Sequence, residues 1–312
     1  MKKTQILLYI CLGISLLNII SIVYYFNISQ SLQSPTLFTV VPPPHSSEIS
    51  MPDEIALAGE PTPLQRQDVQ EALAKELIVN TYLHSHTIQI LQTAPRVFTI
   101  IEPILKKHGI PDDFKYLAVI ESRLNPWAVS PAGAVGVWQI MKNTGKELGL
   151  EINDEIDERY HIEKSTEAAA TYLKKAYNKL GSWTLAAAAY NGGPNMISKQ
   201  MTLQKENNYY NLLLGEETER YVFRILALKQ IMNHPQMYHF FVSNSNPPEP
   251  IQKVEIKGTI KSWSDFAKSH GITYKTLKRF NPWLRKTDLK NKRKKTYTIA
   301  LPIQKELYQS HN

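Results

Sequence analysis

Cysteine is almost missing from this chain. The single thiol, Cys11, lies within an apolar segment, so the 312 residues hold no intrachain disulfide. A thiol-free folded part suits any compartment and identifies none. Metal-binding patterns are equally scarce. The nine histidines form no HExxH arrangement, and "NDEIDERYH", residues 153–161, lacks the glycine and terminal glutamate spacing of an EF-hand loop. That acidic run reads as solvated loop charge, and neither a metal nor a cofactor is expected. Strand-like alternation is rare before the last sixty residues, and no repeat of fixed period occurs. Acidic residues are few at the C-terminal end. Residues 251–312 hold 15 Lys and Arg against 4 Asp and Glu, a net of +11, while the remainder holds 21 against 24. The basic character belongs to that segment alone and suggests an anionic polymer or surface as its partner.

What is present begins with "MKKTQILLYICLGISLLNIISIVYYF". Lys2 and Lys3 precede an uncharged run of 21 residues, Ile6 to Phe26, long enough to span a bilayer as a helix. No small-x-small cleavage site follows, so residues 1–26 are expected to be an uncleaved transmembrane anchor rather than a removed signal. The lysines mark the cytoplasmic side, and the rest of the chain is expected beyond the membrane. An uncleaved helix would keep the folded part attached to that membrane. Residues 27–63 contain seven of the 19 prolines and no sustained apolar period, and are read as a disordered tether.

Hydrophobic residues make up 43% of the chain, enough for a sizeable core. From Leu64 to residue 243 the pattern is helical and reads as one all-α domain. Breaks are expected at Pro95, Pro103 and Gly109-Ile110-Pro111. A helix from Pro111 is expected to stop at Asn125-Pro126. Ser165 and Ser182 are expected to cap the next two helices, with Gly181 between them. Residues 244–250, "NSNPPEP", read as a second linker. Beyond it, residues 251–312 follow the order β-α-α-β. The fold class is thus mainly α with a small C-terminal module.

In "YLAVIESRLNP", residues 116–126, Glu121 falls on the stripe of Phe114, Leu117 and Leu124, spaced three, four and three. A carboxylate on a core-facing stripe needs a reason, because desolvation disfavours its charge. Three stretches look chosen for more than packing: Glu121-Ser122; the loop "SPAGAVGVWQI", with Ser130 and Gln139; and "AAAYNGG", with Tyr190-Asn191. A half-buried carboxylic acid beside amides and hydroxyls suits carbohydrate chemistry, the acid protonating a glycosidic oxygen. Each residue also has a plainer reading. Asn191 before Gly-Gly can be a helix C-cap, Tyr190 and Trp138 can be core, and Gln139 can simply satisfy loop backbone.

Together, in order and spacing, these stretches resemble the signature of the soluble-lytic-transglycosylase-like family, which pairs Glu-Ser, Gly-Leu-Met-Gln and Ala-Tyr-Asn motifs. Here they stand as Glu121-Ser122, Gly136-Val137-Trp138-Gln139 and Ala189-Tyr190-Asn191. The Trp before the Gln resembles the membrane-bound D-type branch, as do "DERYHIEKSTEAAATYL", "GSWTLAAAAYNGGP" and "EETERYVFRILAL". The last carries Tyr221, which matches a family tyrosine near the catalytic acid. The resemblance covers about residues 65–235. It implies a lysozyme-like α fold that cleaves the β-1,4 bond between N-acetylmuramic acid and N-acetylglucosamine. Glu121 would be the single general acid and base, and the product a 1,6-anhydro sugar. Ser122, Ser130, Gln139, Tyr190, Asn191 and Tyr221 would hold the sugar or Glu121. Two alternatives stay open: a lysozyme-type hydrolase with water as nucleophile, and a non-catalytic wall-binding scaffold.

The C-terminal segment resembles a LysM module, in Phe266-Ala267, Gly271-Ile272-Thr273, Leu277, Asn281 and the closing "TYTIALP", although it lacks the usual aspartate after Gly258. LysM modules bind N-acetylglucosamine polymers; the alternative is a small module that packs on the catalytic domain. "KNKRKK", residues 290–295, would suit nucleic acid on charge alone, but an extracytoplasmic location argues against that partner. The expected partners are peptidoglycan glycan strands and, through the N-terminal helix, the membrane; the chain is expected to be a monomer.

Overall fold

The computed structural model describes residues 49–243, 245–304 and 308. The expected anchor, residues 1–26, and the tether as far as residue 48 lie outside the described residues. Among the described residues no helix is long and apolar enough to cross a membrane. A short hairpin, β1 (Ala56–Leu57) with β2 (Glu60–Pro61), opens the fold. Eight helices follow: α1 (Gln67–Tyr82), α2 (His84–Lys107), α3 (Lys115–Ser122), α4 (Lys142–Glu147), α5 (Ile162–Leu180), α6 (Trp183–Gly192), α7 (Pro194–Gln204) and α8 (Glu216–Asn233). The C-terminal module pairs β3 (Ile251–Ile256) antiparallel with β4 (Tyr297–Pro302), from Ile251 opposite Pro302 to Ile256 opposite Tyr297. Between them run α9 (Trp263–Ser269) and α10 (Tyr274–Phe280).

The helical core is built around α6. Its alanines, Ala186 to Ala189, are fully buried, and their small side chains let α5, α7 and α8 approach closely. Helix α8 packs in turn on α1 and α3, which ties the segment bearing Glu121 to the centre of the domain.

Several expectations need correction. Residues 49–63 are not a tether. Ile55 and Leu57 are buried in the helical core, and Lys229 Nζ donates to the Ala56 carbonyl at 2.8 Å. Glu60 reaches across to the start of α6, where its carboxylate accepts the N–H groups of Trp183 (2.6 Å) and Thr184 (2.8 Å) and the hydroxyls of Ser182 (2.7 Å) and Thr184 (2.6 Å). It thereby satisfies donors that a helix start leaves unpaired. Burial alone would raise this carboxyl, but those four bonds hold it below its ordinary value. Ser182 also caps α6 as expected, accepting from Leu185 N–H.

Neither Pro95 nor Pro103 breaks a helix; both lie inside the 24-residue α2. The buried stripe of α2 is Thr87, Ile90, Ala94, Val97, Ile101 and Leu105, and both prolines sit on the exposed side. The hydrogen bonds they forgo are lost where water can reach the backbone, and tertiary packing of the stripe outweighs the local cost. Ser165 does not cap α5. The helix begins earlier, at Ile162, and the Ser165 hydroxyl donates back to the His161 carbonyl at 2.8 Å.

Residues 245–250 of the expected linker run against α2. Asn246 N–H donates to the Gln92 carbonyl at 2.8 Å, and Glu249 pairs with both Arg96 of α2 (2.9 Å) and Arg279 of α10 (2.5 Å). The acidic run 153–161 is not simply solvated either. Ile156 forms a bridge with Leu284, flanked by Asp157 N–H to the Trp283 carbonyl (2.9 Å) and Arg285 N–H to the Glu155 carbonyl (2.8 Å). Asp154 pairs with Lys286 and Glu151 with Lys295. Val135, Ile156 and Tyr160 from the helical part share one buried cluster with Trp263, Leu277, Leu284, Leu289 and Ile299 of the module. The C-terminal module is therefore docked, not tethered.

Candidate active site

Glu121 is the penultimate residue of α3. The helix ends there because Arg123 and then Leu124 take left-handed backbone angles, with φ of 55° and 61°. Leu124, expected on the same helical stripe, lies past the helix end, although it is still fully buried. Reversal at this point leaves the half-buried Glu121 beside α8, where its Oε1 accepts the Tyr221 hydroxyl. Burial pushes the Glu121 carboxyl above its ordinary value. Tyr221 and the Arg224 guanidinium pull it down, Glu217 pushes it up, and the balance is upward. Tyr221 is buried, and burial together with the Glu121 charge holds its phenol well above the usual range, so it remains a donor.

The loop 128–140 stands against the end of α3. The Ser122 hydroxyl donates to the Val137 carbonyl at 2.8 Å, and the Tyr190 hydroxyl donates to the Trp138 carbonyl at 2.7 Å. Gln139 Nε2 donates to the carbonyls of Gly136 (2.9 Å) and Ala128 (3.3 Å). Gln139 itself has a φ of 47°, uncommon for a residue other than glycine. Gly136 has a φ of 80°, and a Cβ there would lie 2.1 Å from the Arg159 carbonyl oxygen, so only glycine fits. Ser130 Oγ accepts the Ala134 N–H at 3.0 Å, a contact within the loop. Trp138 is fully buried, its indole donating to Thr166 Oγ1 at 2.8 Å.

Asn191 lies in the last turn of α6, not at its C-cap, which is Gly193. Its amide donates to Glu217 at 3.1 Å and accepts the Thr218 hydroxyl at 2.8 Å. The structure thus brings Glu121 and Tyr221 into direct contact. It joins Ser122, Gln139 and Tyr190 through the loop backbone, and Asn191 through α8.

Sequence reasoning did not single out Glu217, Arg224 or Arg159. The first two had a signal. Glu217, Tyr221 and Arg224 are spaced four and three, which places them on one face of α8. Arg159 had none. It is buried, pairs with Asp157 at 2.7 Å, and donates to the carbonyls of Gly133 (3.1 Å) and Ile140 (3.2 Å). One guanidinium thus ties the middle of the loop to its C-terminal end.

The chain matches the transglycosylase SLT domain over residues 98–213 and the soluble lytic transglycosylase C-terminal LysM-like domain over residues 252–305. The first match contains Glu121, Ser122, Ser130, Gln139, Tyr190 and Asn191 and stops short of Tyr221. The chain is 30% identical over 219 residues to membrane-bound lytic murein transglycosylase D of Escherichia coli (strain K12), covering 68% of this chain and 47% of that protein. It is 31% identical over 135 residues to membrane-bound lytic murein transglycosylase F of Salmonella typhi, covering 39% of this chain and 27% of the relative. The alignment thus spans about half the length of the first relative and about a quarter of the second. An X-ray structure of an inactive mutant of lytic transglycosylase Slt from Pseudomonas aeruginosa matches with 21% identity and a TM-score of 0.38, covering 44% of this chain and 24% of that one. The chain is accordingly homologous to membrane-bound lytic murein transglycosylase D and carries a transglycosylase SLT domain followed by a LysM-like domain.

Proposed function

We propose that this protein is a peptidoglycan lytic transglycosylase acting at the N-acetylmuramic acid–N-acetylglucosamine β-1,4 bond, with Glu121 as its single acid and base. The observation that carries the reading is the half-buried Glu121 carboxyl, held protonated to higher pH by desolvation and oriented by the Tyr221 hydroxyl. A carboxylic acid tuned upward keeps its proton to higher pH than an ordinary carboxyl and so can donate it. Glu121 gives that proton to the glycosidic oxygen as the bond to muramic C1 breaks. The resulting carboxylate takes the proton of the muramic 6-hydroxyl, whose oxygen closes on C1. The substrate's acetamido group supports charge at C1 meanwhile. The products are a 1,6-anhydro end and a free 4-hydroxyl, and no water is consumed.

Ser122 pins the 128–140 loop against α3, Tyr190 ties it to α6, and Gln139 shapes it from within. Ser130 and Asn191 are assigned to the sugar, with Tyr221 on Glu121. The anchor at residues 1–26 would hold this machinery at the inner membrane, facing the periplasm, and the C-terminal module would add contact to the wall polymer.

One observation favours a second reading, hydrolysis of the lysozyme type. Folding brings a second carboxylate, Glu217, near enough to push the Glu121 carboxyl up, and glycosidases that use water commonly employ two. Glu217 is exposed and already engaged by Asn191, which favours the single-acid scheme. Mass analysis of products from purified glycan strands decides. Anhydro ends are lighter by one water and resist borohydride; reducing muramic ends would replace this reading with the hydrolase.

A further inference from the structure

At the seam between the helical part and the C-terminal module, Arg285 stands without an acidic partner among the described residues. Arg285 projects from the module with its guanidinium 4.0 Å from the Tyr160 ring centroid and 5.9 Å from that of Trp127. Its neighbours along the seam are neutralised: Lys286 by Asp154, Lys295 by Glu151, Arg279 by Glu249. Arg285 has no carboxylate within 4 Å among the described residues, and its only side-chain hydrogen bond there is to the Pro282 carbonyl at 3.0 Å. Its backbone is held in place. Its N–H donates to Glu155, and the Lys278 ammonium binds the carbonyls of Leu284 and Lys286 on either side. The charge is thus exposed, rigidly mounted and unpaired.

Trp127 shares this place. It follows the α3 end by five residues and stands 43% exposed, an unusual position for so large an apolar side chain. Asn125 fixes its backbone by accepting the Trp127 N–H at 2.9 Å, and the next residue, Ala128, is gripped by Gln139. Trp127 therefore lies at the lip of the loop that stands against the end of α3 at Ser122, next to Glu121 in sequence. An exposed ring offers a flat apolar face for a sugar, and the guanidinium above it offers a fork for a carboxylate.

The geometry points to a seam subsite in which Trp127 takes a sugar face and Arg285 takes a carboxylate of the peptide borne by muramic acid. This assignment rests on the peptidoglycan reading above. It makes the docked module part of the substrate site, and it predicts preference for strands with free peptide carboxylates.

Binding tests it without turnover, in the 312-residue chain carrying Glu121→Gln. The probes are a soluble disaccharide-peptide of peptidoglycan and the same molecule with its peptide carboxylates converted to amides. Arg285 should favour the carboxylate form by about three- to tenfold. Arg285→Gln should erase that preference while leaving the amide form bound as before, and Arg285→Lys should keep part of it. Trp127→Ala should weaken both forms alike. Equal affinity for the two forms with Arg285 present, or a preference that survives Arg285→Gln, overturns the seam subsite. Product analysis with Glu121 intact reports separately on the chemistry. Absent cleavage alongside a persisting carboxylate preference would overturn the lytic reading and support the seam.

Discussion

Glu121 is an acid held against its own ionisation. Because the folded chain keeps its proton to higher pH than the ordinary value of 4.5, the group costs stability as pH rises from that value through the folded one. Glu121→Gln retains the size and can still accept the Tyr221 hydroxyl. It should melt at or above the wild type near pH 7, with the gap closing toward pH 4. Its turnover should fall by about 10²–10⁴-fold, as loss of an acid–base group does. Glu217→Gln can still accept from Asn191 and should keep most of its turnover. A loss as deep as that of Glu121→Gln would show a two-carboxylate mechanism. Tyr221→Phe removes a hydrogen bond that pulls the Glu121 carboxyl down. The alkaline limb of kcat/KM should then move to higher pH as the rate falls; a residue that only packs would lower the rate and leave the limb in place.

Among the elements, the 128–140 loop has the narrowest tolerance. Its path is set by Gly136 in a left-handed conformation, tight against the Arg159 backbone, and by Arg159 tying Gly133 to Ile140. Gly136→Ala should cost more than about 2 kcal/mol, since it combines a forbidden backbone region with a clash against main chain. Both the melting temperature and kcat should drop, because Gln139 is bonded to Gly136 itself. An unchanged kcat in a destabilised variant would separate the loop from the chemistry. Helix α2 shows the opposite tolerance. Two prolines lie within it because its buried stripe avoids them.

For the whole molecule, the charge asymmetry of the sequence has a partner inside the chain. The basic C-terminal module meets the acidic 151–158 stretch, and part of the charge expected to seek an external polymer pairs across the seam. These exposed pairs each contribute about 1 kcal/mol or less, so the shared apolar cluster carries the docking. The sequence alone suggests that removing residues 251–312 would spare cleavage of short soluble glycans. The structure reverses that expectation. Deletion would uncover Val135 of the site loop together with Ile156 and Tyr160. Short-glycan turnover should fall along with retention on washed sacculi; turnover at the level of the undeleted chain would show that the loop stands without the module.

The sequence by itself determined the helical domain, the β-α-α-β order beyond it, and the Glu121, Gln139 and Asn191 motifs, because periodicity and motif spacing are local properties of the chain. It could also have yielded Glu217 and Arg224, which share a helix face with Tyr221. Tertiary structure alone decided that Glu60 caps a helix more than 120 residues away, that Arg159 fastens the glycine loop, and that Arg285 meets Trp127. These contacts join residues far apart in sequence whose types are ordinary for exposed positions. Nothing in their local spacing distinguishes a solvated charge from one that folding brings to a partner.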